Sequence, residues 1–242
     1  MNEREFPKRA MVLAAGIGNR MRPLTDSRPK PLVEVANRAL IDYNLDRLAA
    51  AKIATAVVNL HHFADLLEAH LRTRAAPKIE FSSERALLLD TGGGIANALP
   101  LLGAGPFFLV NSDSLWLEKV SNLARLAGAF DPARMDAMLL LARPENTVGY
   151  EGRGDYFLEA NALLRRRAAD EHAPLTYAGG ALISPALLEG APDGAFPLLP
   201  LFDQAQAKGR LFGLELDGLF LHVGTPAAIA LAEDAIRRHA TA

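Results

Sequence analysis

Runs of consecutive apolar residues, each of strand length, alternate with helix-spaced segments over residues 1–145. Residues 10–14 (AMVLA), 106–110 (PFFLV) and 136–142 (DAMLLLA) form such runs. Strands that are apolar on both faces are typical of a parallel sheet covered by helices on both sides. We therefore predict an α/β fold, a doubly wound and mainly parallel sheet with helices on both faces.

The pattern changes after residue 145, although no linker or low-complexity segment marks a boundary. Residues 149–154 (GYEGRG) are predicted to form a hairpin-rich excursion, and residues 175–184 a strand interrupted by glycines. Residues 226–238 are predicted to form a C-terminal helix, because Pro226 suits its first turn. We expect a single domain over residues 1–242, with a change of structure near residue 145.

Composition excludes several classes of function. The formal net charge is −2 and no basic run is longer than residues 165–167, so nucleic-acid binding is not expected. The absence of cysteine removes disulfides, thiolate chemistry and zinc–thiolate sites. No stretch approaches the roughly 20 apolar residues that span a bilayer, and the apolar run near the start is shorter than that of a signal peptide. We expect a cytoplasmic protein that does not bind membranes.

A loop of small residues follows the first predicted strand, at residues 13–20 (LAAGIGNR). Small residues let consecutive backbone N–H groups approach and bind an anion. The loop is neither a Rossmann fingerprint, because Met21 replaces the third glycine, nor a Walker A loop, because no Gly-Lys-Ser/Thr follows. Lys30 lies between Pro29 and Pro31, which restrict the backbone around it. A fixed cation beside an anion-binding loop suits the transition state of a highly charged substrate.

Two further motifs leave both a structural and a functional interpretation open. Asp113 follows the apolar strand at residues 106–110, where open α/β sheets bind ligands, and its carboxylate either holds a metal or caps a helix. The sequence DTGGG at residues 90–94 is either a plain loop at a helix start or a ligand-binding loop.

The segment LAAGIGNRMRPLTDSRPKPL at residues 13–32 resembles the signature of the sugar-1-phosphate nucleotidyltransferases, L-A-A-G-x-G-[TS]-R-[ML]-x-P-L-T…P-K-P-[LM]. The resemblance extends through Asp113 to VGTP at residues 223–226 and so covers nearly the whole chain. Asn19 is a mild departure, since the family has Thr or Ser there.

The resemblance implies a Rossmann-like nucleotidyltransferase fold with a small sugar-binding β excursion, a nucleotide-binding half at residues 1–145 and a sugar-binding half with the C-terminal helix at residues 146–242. It implies a nucleoside triphosphate and a sugar 1-phosphate as partners, Mg²⁺ as cofactor and pyrophosphate as product; the oligomeric state stays open. The catalytic residues it implies are Arg20, Lys30 and Asp113, with Asp113 also the principal magnesium ligand. The implied nucleotide-binding residues are Leu13, Ala14, Ala15, Gly16, Gly18, Asn19, Gly92, Gly93 and Asn111. The implied substrate-binding residues are His61, Tyr177 and Gly179. His61 also has a plain interpretation as a surface residue at a helix entry, and the glycine a plain packing interpretation.

The form LLDTGGGI at residues 88–95 is similar to that of the N-acetylmuramate 1-phosphate uridylyltransferases. It also occurs in proteins like the mannose-1-phosphate guanylyltransferases, so it narrows the substrate without fixing it. The leading hypothesis is therefore UTP with N-acetylmuramate 1-phosphate, in peptidoglycan recycling. The alternatives are GTP with mannose 1-phosphate or a heptose analogue, and a regulatory module that binds a nucleotide sugar without turning it over.

Two positions depart from the family pattern. The tetrapeptide V-E-K-P, which supplies sugar and phosphate contacts in many relatives, is absent, and Glu159 and Arg165 are candidate replacements. His222 stands where the family has an Asp that binds the second metal. It either ligates a metal, hydrogen-bonds a metal-bound water or a phosphate, or fills space; we favour the second role because Mg²⁺ can be held by one carboxylate and substrate phosphates.

Overall fold

The computed structural model of the chain describes residues 6–240, in which strands and helices alternate along most of the sequence. The strands are β1 (Arg9–Leu13), β2 (Glu34–Val35), β3 (Arg38–Ala39), β4 (Thr55–Leu60), β5 (Lys78–Ser83), β6 (Phe107–Asn111), β7 (Ser114–Leu117), β8 (Ala137–Ala142), β9 (Thr147–Val148), β10 (Tyr156–Leu158), β11 (Leu164–Arg166), β12 (Thr176–Ile183), β13 (Leu211–Glu215) and β14 (Leu219–His222). The α-helices are α1 (Leu40–Ala50), α2 (Ala64–Arg72), α3 (Asp90–Leu102), α4 (Asn122–Ala129), α5 (Leu199–Ala207) and α6 (Pro226–Ala240).

A seven-stranded sheet in the order β13-β8-β12-β6-β1-β4-β5 forms the centre of the fold. The pairs β6–β1, β1–β4, β4–β5 and β8–β13 are parallel. Strand β12 is antiparallel to both of its neighbours, β6 and β8. The predicted, mainly parallel sheet is confirmed, with β12 as its antiparallel member.

Helices cover both faces of this sheet, as the fully apolar strands predicted. Val12 of β1 belongs to a buried cluster with residues of α1, α2 and α4, whereas Met11 belongs to a cluster with residues of α3 and α5. Neighbouring strand residues point to opposite faces, so one apolar run supplies both layers. Within residues 6–240, no helix has the length and apolar character needed to cross a membrane.

The later part of the chain adds two small sheets and completes the central one. Strand β14 pairs antiparallel with β7 and parallel with β9. The antiparallel pair β10–β11 lies C-terminal to the segment 149–154 in which we expected the hairpin, and that prediction of position was wrong. Strand β12 carries a register irregularity between Tyr177 and Ala181, at the glycines that interrupt the predicted strand.

The glycines at residues 92–94 lie inside α3, although we predicted a loop that ends before the helix. The amide groups of Gly92 and Gly93 donate to Phe196 O at 2.9 and 3.0 Å. First-turn amides have no partner within their own helix, so this carbonyl satisfies two of them. A Cβ on Gly92 would lie 2.4 Å from the Phe196 ring. Close packing against a distant segment thus outweighs the low helix propensity of glycine.

Candidate active site

The loop after β1 forms one wall of a cavity of about 690 Å³. Its lining includes the predicted loop residues Leu13, Ala14, Ala15, Gly16, Gly18, Asn19 and Arg20. Gly18 has a φ of +74°, and a Cβ there would lie 3.0 Å from Cβ of Lys30 and from Cγ2 of Thr25. A larger residue would be strained and would crowd Lys30, so the glycine is needed for this turn.

Hydrogen bonds at both ends of the loop fix its path. The amide of Ala14 donates to Oδ1 of Asn59 at 2.7 Å. Farther along, Gly18 O accepts from the amide of Met21 and from the hydroxyl of Thr25, each at 2.9 Å. Because the Ala14 amide is engaged, an anion nest in this loop has to be formed by the amides that follow it.

Lys30 and Asp113 meet at the edge of the same cavity, although they are separated by 83 residues in sequence. Nζ of Lys30 lies 2.5 Å from Oδ2 of Asp113. The exposed fraction is 13% for the lysine side chain and 27% for the aspartate side chain. Lys30 begins a 3₁₀ turn between two prolines, and Asp113 follows β6, as predicted. The two opposite charges are therefore fixed near each other and remain partly accessible from the cavity.

A buried polar chain, which the sequence analysis missed, connects the two walls of this cavity. Asn59 on β4 donates through Nδ2 to Oε1 of Glu84 at 2.7 Å, and the amide of Leu89 donates to Oε2 of Glu84 at 2.9 Å. Asn59 and Glu84 are 3% and 2% exposed. Hydrogen bonds hold the buried side chain of Glu84, and no cation among residues 6–240 forms an ion pair with it. The available signal was one asparagine within an apolar strand, which by itself does not identify its partner.

The wall that faces the loop is formed by residues next to the predicted glycines. Leu88, Asp90, Thr91 and Ala195 line the cavity. Gly92 and Gly93 are buried in α3, and neither lies in the cavity lining. Their amides donate to Phe196 O, so the backbone groups that we expected to contact a base are already engaged.

A second cavity, of about 670 Å³, adjoins the first. Three residues, Leu13, Thr91 and Asn111, line both cavities. The rest of its lining is Asp155, Tyr156, Arg166, Arg167, Ala168, Ala169, Tyr177, Leu198, Leu199 and Phe202. The structure thus has two neighbouring compartments of similar size, with the carboxyl end of β6 between them.

Tyr177, one of the residues that we expected to bind the substrate, lines the second cavity. Its hydroxyl group is buried and has no hydrogen-bond partner among the described residues. Burial raises the pKa of this hydroxyl above its ordinary value, and the nearby Tyr156 and Asp113 act in the same direction. The group therefore stays protonated and can donate a hydrogen bond.

The other two predicted substrate-binding residues lie outside both cavity linings. Nδ1 of His61 lies 2.7 Å from Glu84 O, which links it to the buried polar chain. Gly179 has a φ of +73°, and a Cβ there would lie 1.9 Å from Oγ of Ser114. This contact supports the packing interpretation of the glycine.

His222, at the end of β14, is opposite Ser114 of β7 and is also outside both cavity linings. The rings of Tyr150 and Phe220 pack edge-on against it, with centroids 5.8 and 5.9 Å away. Burial lowers the pKa of His222, and the cations Lys30 and Arg20 lower it further, while Asp113 opposes them. The charges of the site thus act on the imidazole, and its lowered pKa favours the neutral form.

Asp113 is the predicted metal ligand whose chemistry fits Mg²⁺, a hard ion that prefers oxygen. Among residues 6–240, no three His, Asp or Glu side chains are grouped so that they could hold a metal. Lys30 contacts Oδ2 of Asp113, and the carboxylate remains partly exposed to the cavity. One carboxylate together with ligand phosphates is a sufficient donor set for Mg²⁺, so the residues fit this ion.

The two candidate replacements for the missing V-E-K-P contacts do not line either cavity. Arg165 pairs with Glu171 at 2.8 Å and lies 3.8 Å from Glu159. Its guanidinium is also 4.0 Å from the centre of the Phe157 ring. The next two arginines, Arg166 and Arg167, line the second cavity instead.

Comparison with known proteins identifies relatives along nearly the whole chain. Residues 9–150 match the nucleotidyl transferase family. The chain is 53% identical over 234 residues to N-acetylmuramate alpha-1-phosphate uridylyltransferase of Caulobacter vibrioides, covering 95% of this chain and 97% of that protein. It is 36% identical over 222 residues to the protein of the same name from Neisseria meningitidis, covering 90% and 93% of the two chains.

The fold is also found among solved structures. A UDP-glucose pyrophosphorylase in complex with UDP-glucose superposes with a TM-score of 0.76. The match covers 96% of this chain and 98% of that one, at 16% sequence identity. At this level of identity the likeness concerns the fold.

Proposed function

The chain belongs to the nucleotidyl transferase family, and on that premise we propose that it transfers a uridylyl group from UTP to N-acetylmuramate 1-phosphate and releases pyrophosphate. The observation that carries this proposal is the pair of adjoining cavities that share Leu13, Thr91 and Asn111, with Lys30 and Asp113 at the edge of the first. Two compartments that meet beside fixed charges suit the joining of two anionic substrates. The choice of UTP and of this sugar rests on the relatives' names and on LLDTGGGI.

In this proposal the nucleotide binds in the first cavity and the sugar in the second. The loop after β1 would wrap the triphosphate, with Arg20 and Lys30 near its phosphates. The sugar 1-phosphate would then lie between the two cavities, next to Asn111. The predicted functional halves at residues 1–145 and 146–242 are part of the same proposal, as is the cytoplasmic location.

The chemistry requires little from a general base. A phosphate monoester is largely dianionic near neutral pH, because its second pKa is about 6. Its oxygen forms a bond to the α-phosphorus of UTP while the bond from that phosphorus to the β-phosphate oxygen breaks, and pyrophosphate leaves with the electron pair. Lys30 and Arg20 would neutralise charge on the phosphates and hold them in line.

Asp113 would hold Mg²⁺, the cofactor that we propose, against the phosphates. When bound, this ion supplies further positive charge to the phosphate oxygens. Lys30 contacts Asp113 directly, so its ammonium group both orients the carboxylate and limits the negative charge that the substrates encounter.

A substrate panel tests the proposal. Pyrophosphate release would be measured with UTP, GTP, CTP, ATP and dTTP, each combined with N-acetylmuramate 1-phosphate, N-acetylglucosamine 1-phosphate and mannose 1-phosphate. We expect UTP to be used at least about tenfold better than GTP, a ratio that a nucleotide pocket can reach with one or two contacts. Preference for GTP with mannose 1-phosphate would overturn the substrate assignment and favour the alternative enzyme.

A further inference from the structure

Arg167 differs from the two arginines before it because no acidic side chain among residues 6–240 pairs with it. Its Nε donates to Gly154 O at 2.8 Å, and its Nη1 donates to Ala168 O at 3.0 Å and to Ala169 O at 3.2 Å. In the part of the chain that the structure describes, no carboxylate forms an ion pair with this guanidinium, and Nη2 makes no hydrogen bond. Backbone carbonyls therefore fix the group and leave a full positive charge for another partner.

The two preceding arginines provide the contrast. Arg166 donates two hydrogen bonds to Asp203, from Nε at 2.7 Å and from Nη2 at 2.9 Å, so its charge is matched although it lines the same cavity. Arg165 is matched by Glu171 and lines neither cavity. Arg167 is half-buried, and no carboxylate of residues 6–240 forms an ion pair with it. Such an arginine is a good site for an anionic ligand group, since arginine binds carboxylates through paired N–H groups.

Two other groups of the second cavity accept or donate hydrogen bonds. Oδ2 of Asp155 accepts from the Thr176 hydroxyl at 2.7 Å and from the Tyr177 amide at 2.9 Å, which fixes an acidic group in the lining. The Tyr177 hydroxyl is a buried donor without a partner among the described residues. The cavity thus presents a cation and an acceptor, which suits a sugar that carries both an acid and N–H or O–H groups.

The position of Arg167 distinguishes between the possible anions. Lys30, Arg20 and Asp113 line the first cavity, and Arg167 does not. The 1-phosphate of the sugar has to reach Lys30, Arg20 and Asp113, because its oxygen attacks the nucleotide in the first cavity. Arg167 lies in the wall formed with Ala168 and Ala169, which belongs to the second cavity alone. Its partner is therefore a negative group on the sugar other than the reacting phosphate.

We propose that Arg167 binds the lactyl carboxylate of N-acetylmuramate 1-phosphate and so sets the preference for this sugar over N-acetylglucosamine 1-phosphate, which lacks the lactyl group. This assignment rests on the proposed function, since it requires that the sugar substrate be a muramate.

The test compares the two sugar phosphates with UTP in the wild type and in Arg167→Gln. Loss of a charge-assisted hydrogen bond should lower kcat/KM for N-acetylmuramate 1-phosphate by about 10- to 100-fold. The value for N-acetylglucosamine 1-phosphate should stay close to that of the wild type, and this second substrate also reports that the variant is folded. Arg165→Gln, two residues earlier on β11 and outside both cavities, is the matched control and should leave both values unchanged.

Three results would overturn the assignment. An equal fall with both sugars would place Arg167 at the 1-phosphate or in the scaffold, and unchanged values with both sugars would remove it from binding. A wild type that does not turn over N-acetylmuramate 1-phosphate would refute the proposed function first, and this assignment with it.

A second measurement needs only the wild type, in case Arg167→Gln does not fold. Here the substrate is N-acetylmuramate 1-phosphate whose lactyl carboxylate has been converted to the neutral amide. We expect kcat/KM to fall by about 10- to 100-fold for the amide, because an arginine loses its charged partner. Equal kcat/KM values for the acid and the amide would show that no cation of the protein binds the lactyl carboxylate.

Discussion

Lys30 lies between two prolines, and its ammonium group contacts one carboxylate while 13% of the side chain remains exposed. A lysine on a flexible surface loop would lose considerable side-chain entropy when it meets a phosphate. Here the backbone and Asp113 already restrict it. In the proposed reaction, such a restricted lysine would suit a transition state in which negative charge spreads over phosphate oxygens.

We predict that Lys30→Ala lowers kcat by at least about 100-fold, the scale of losing one transition-state contact. The melting temperature should change little, because the cavity edge remains open to water around Asp113. Lys119→Ala, at an exposed position, is the control and should behave like the wild type. Near-normal kcat for Lys30→Ala would remove the lysine from the chemistry.

His222 gives a pH prediction about stability. Burial lowers its pKa in the folded chain, whereas the unfolded chain has the ordinary value near 6.5. As pH falls below about 6.5, the unfolded state binds a proton that the folded state does not yet bind, so the free energy of unfolding decreases. This loss ends when the pH passes the lower pKa of the folded state.

Urea unfolding at a series of pH values between about 7 and 5 measures the effect, in the interval where an ordinary histidine titrates. His222→Asn should lose less stability than the wild type as pH falls, because asparagine does not titrate. The exposed His172 gives the control, since His172→Asn should follow the wild-type curve. Parallel curves for the wild type and His222→Asn would contradict the lowered pKa.

Local motifs indicated residues that line the first cavity, but they did not indicate the contacts between distant segments. Lys30, Arg20 and the loop residues stand in one continuous motif, and Asp113 follows an apolar strand, so sequence alone indicated each of them. The Asn59–Glu84 chain depends on the neighbouring strands β4 and β5 and on the segment that reaches Leu89. No spacing rule in the sequence describes such a contact.

At the scale of elements, most strands and helices could be predicted because their apolar residues follow clear periods. The start of helix α3 is the exception, because residues 91–94 were predicted to form a loop. Its glycines favour a loop by propensity, but the carbonyl of Phe196 satisfies two first-turn amides and the 194–196 segment packs directly on them. That segment is about a hundred residues away in sequence. The adjoining Leu198 amide, which donates to the Thr91 hydroxyl, is 107 residues from its partner. Tertiary packing therefore decided the local structure.

Two glycine-to-alanine substitutions test this account of α3. We predict that Gly92→Ala lowers the free energy of unfolding by about 1–3 kcal/mol, because the new Cβ would lie 2.4 Å from the Phe196 ring and 2.9 Å from its carbonyl oxygen. Gly128→Ala in α4 meets no atom within 4 Å and should raise stability by about 0.5–1 kcal/mol. Urea denaturation measures both. A stabilised Gly92→Ala would show that the close packing is not a constraint.

At the scale of the whole molecule, sequence indicated the parallel sheet but not how the last part of the chain joins it. Strand β12 enters the centre of the sheet antiparallel, between β6 and β8. Tyr177 on β12 thereby comes to the cavity that Asn111 of β6 also lines. The second cavity thus exists because a strand from the later half pairs with strands from the earlier half.

The most direct test of the account is the stoichiometry of the reaction with the purified chain. UTP, N-acetylmuramate 1-phosphate and Mg²⁺ would be incubated with the enzyme, and pyrophosphate and UDP-N-acetylmuramate would be quantified together, with Asp113→Asn as the blank. We predict equal amounts of the two products, no pyrophosphate without the sugar phosphate, and no turnover by Asp113→Asn although it still binds UTP. Binding of UTP and of the nucleotide sugar by the wild type without any pyrophosphate release would contradict the account and identify a binding module.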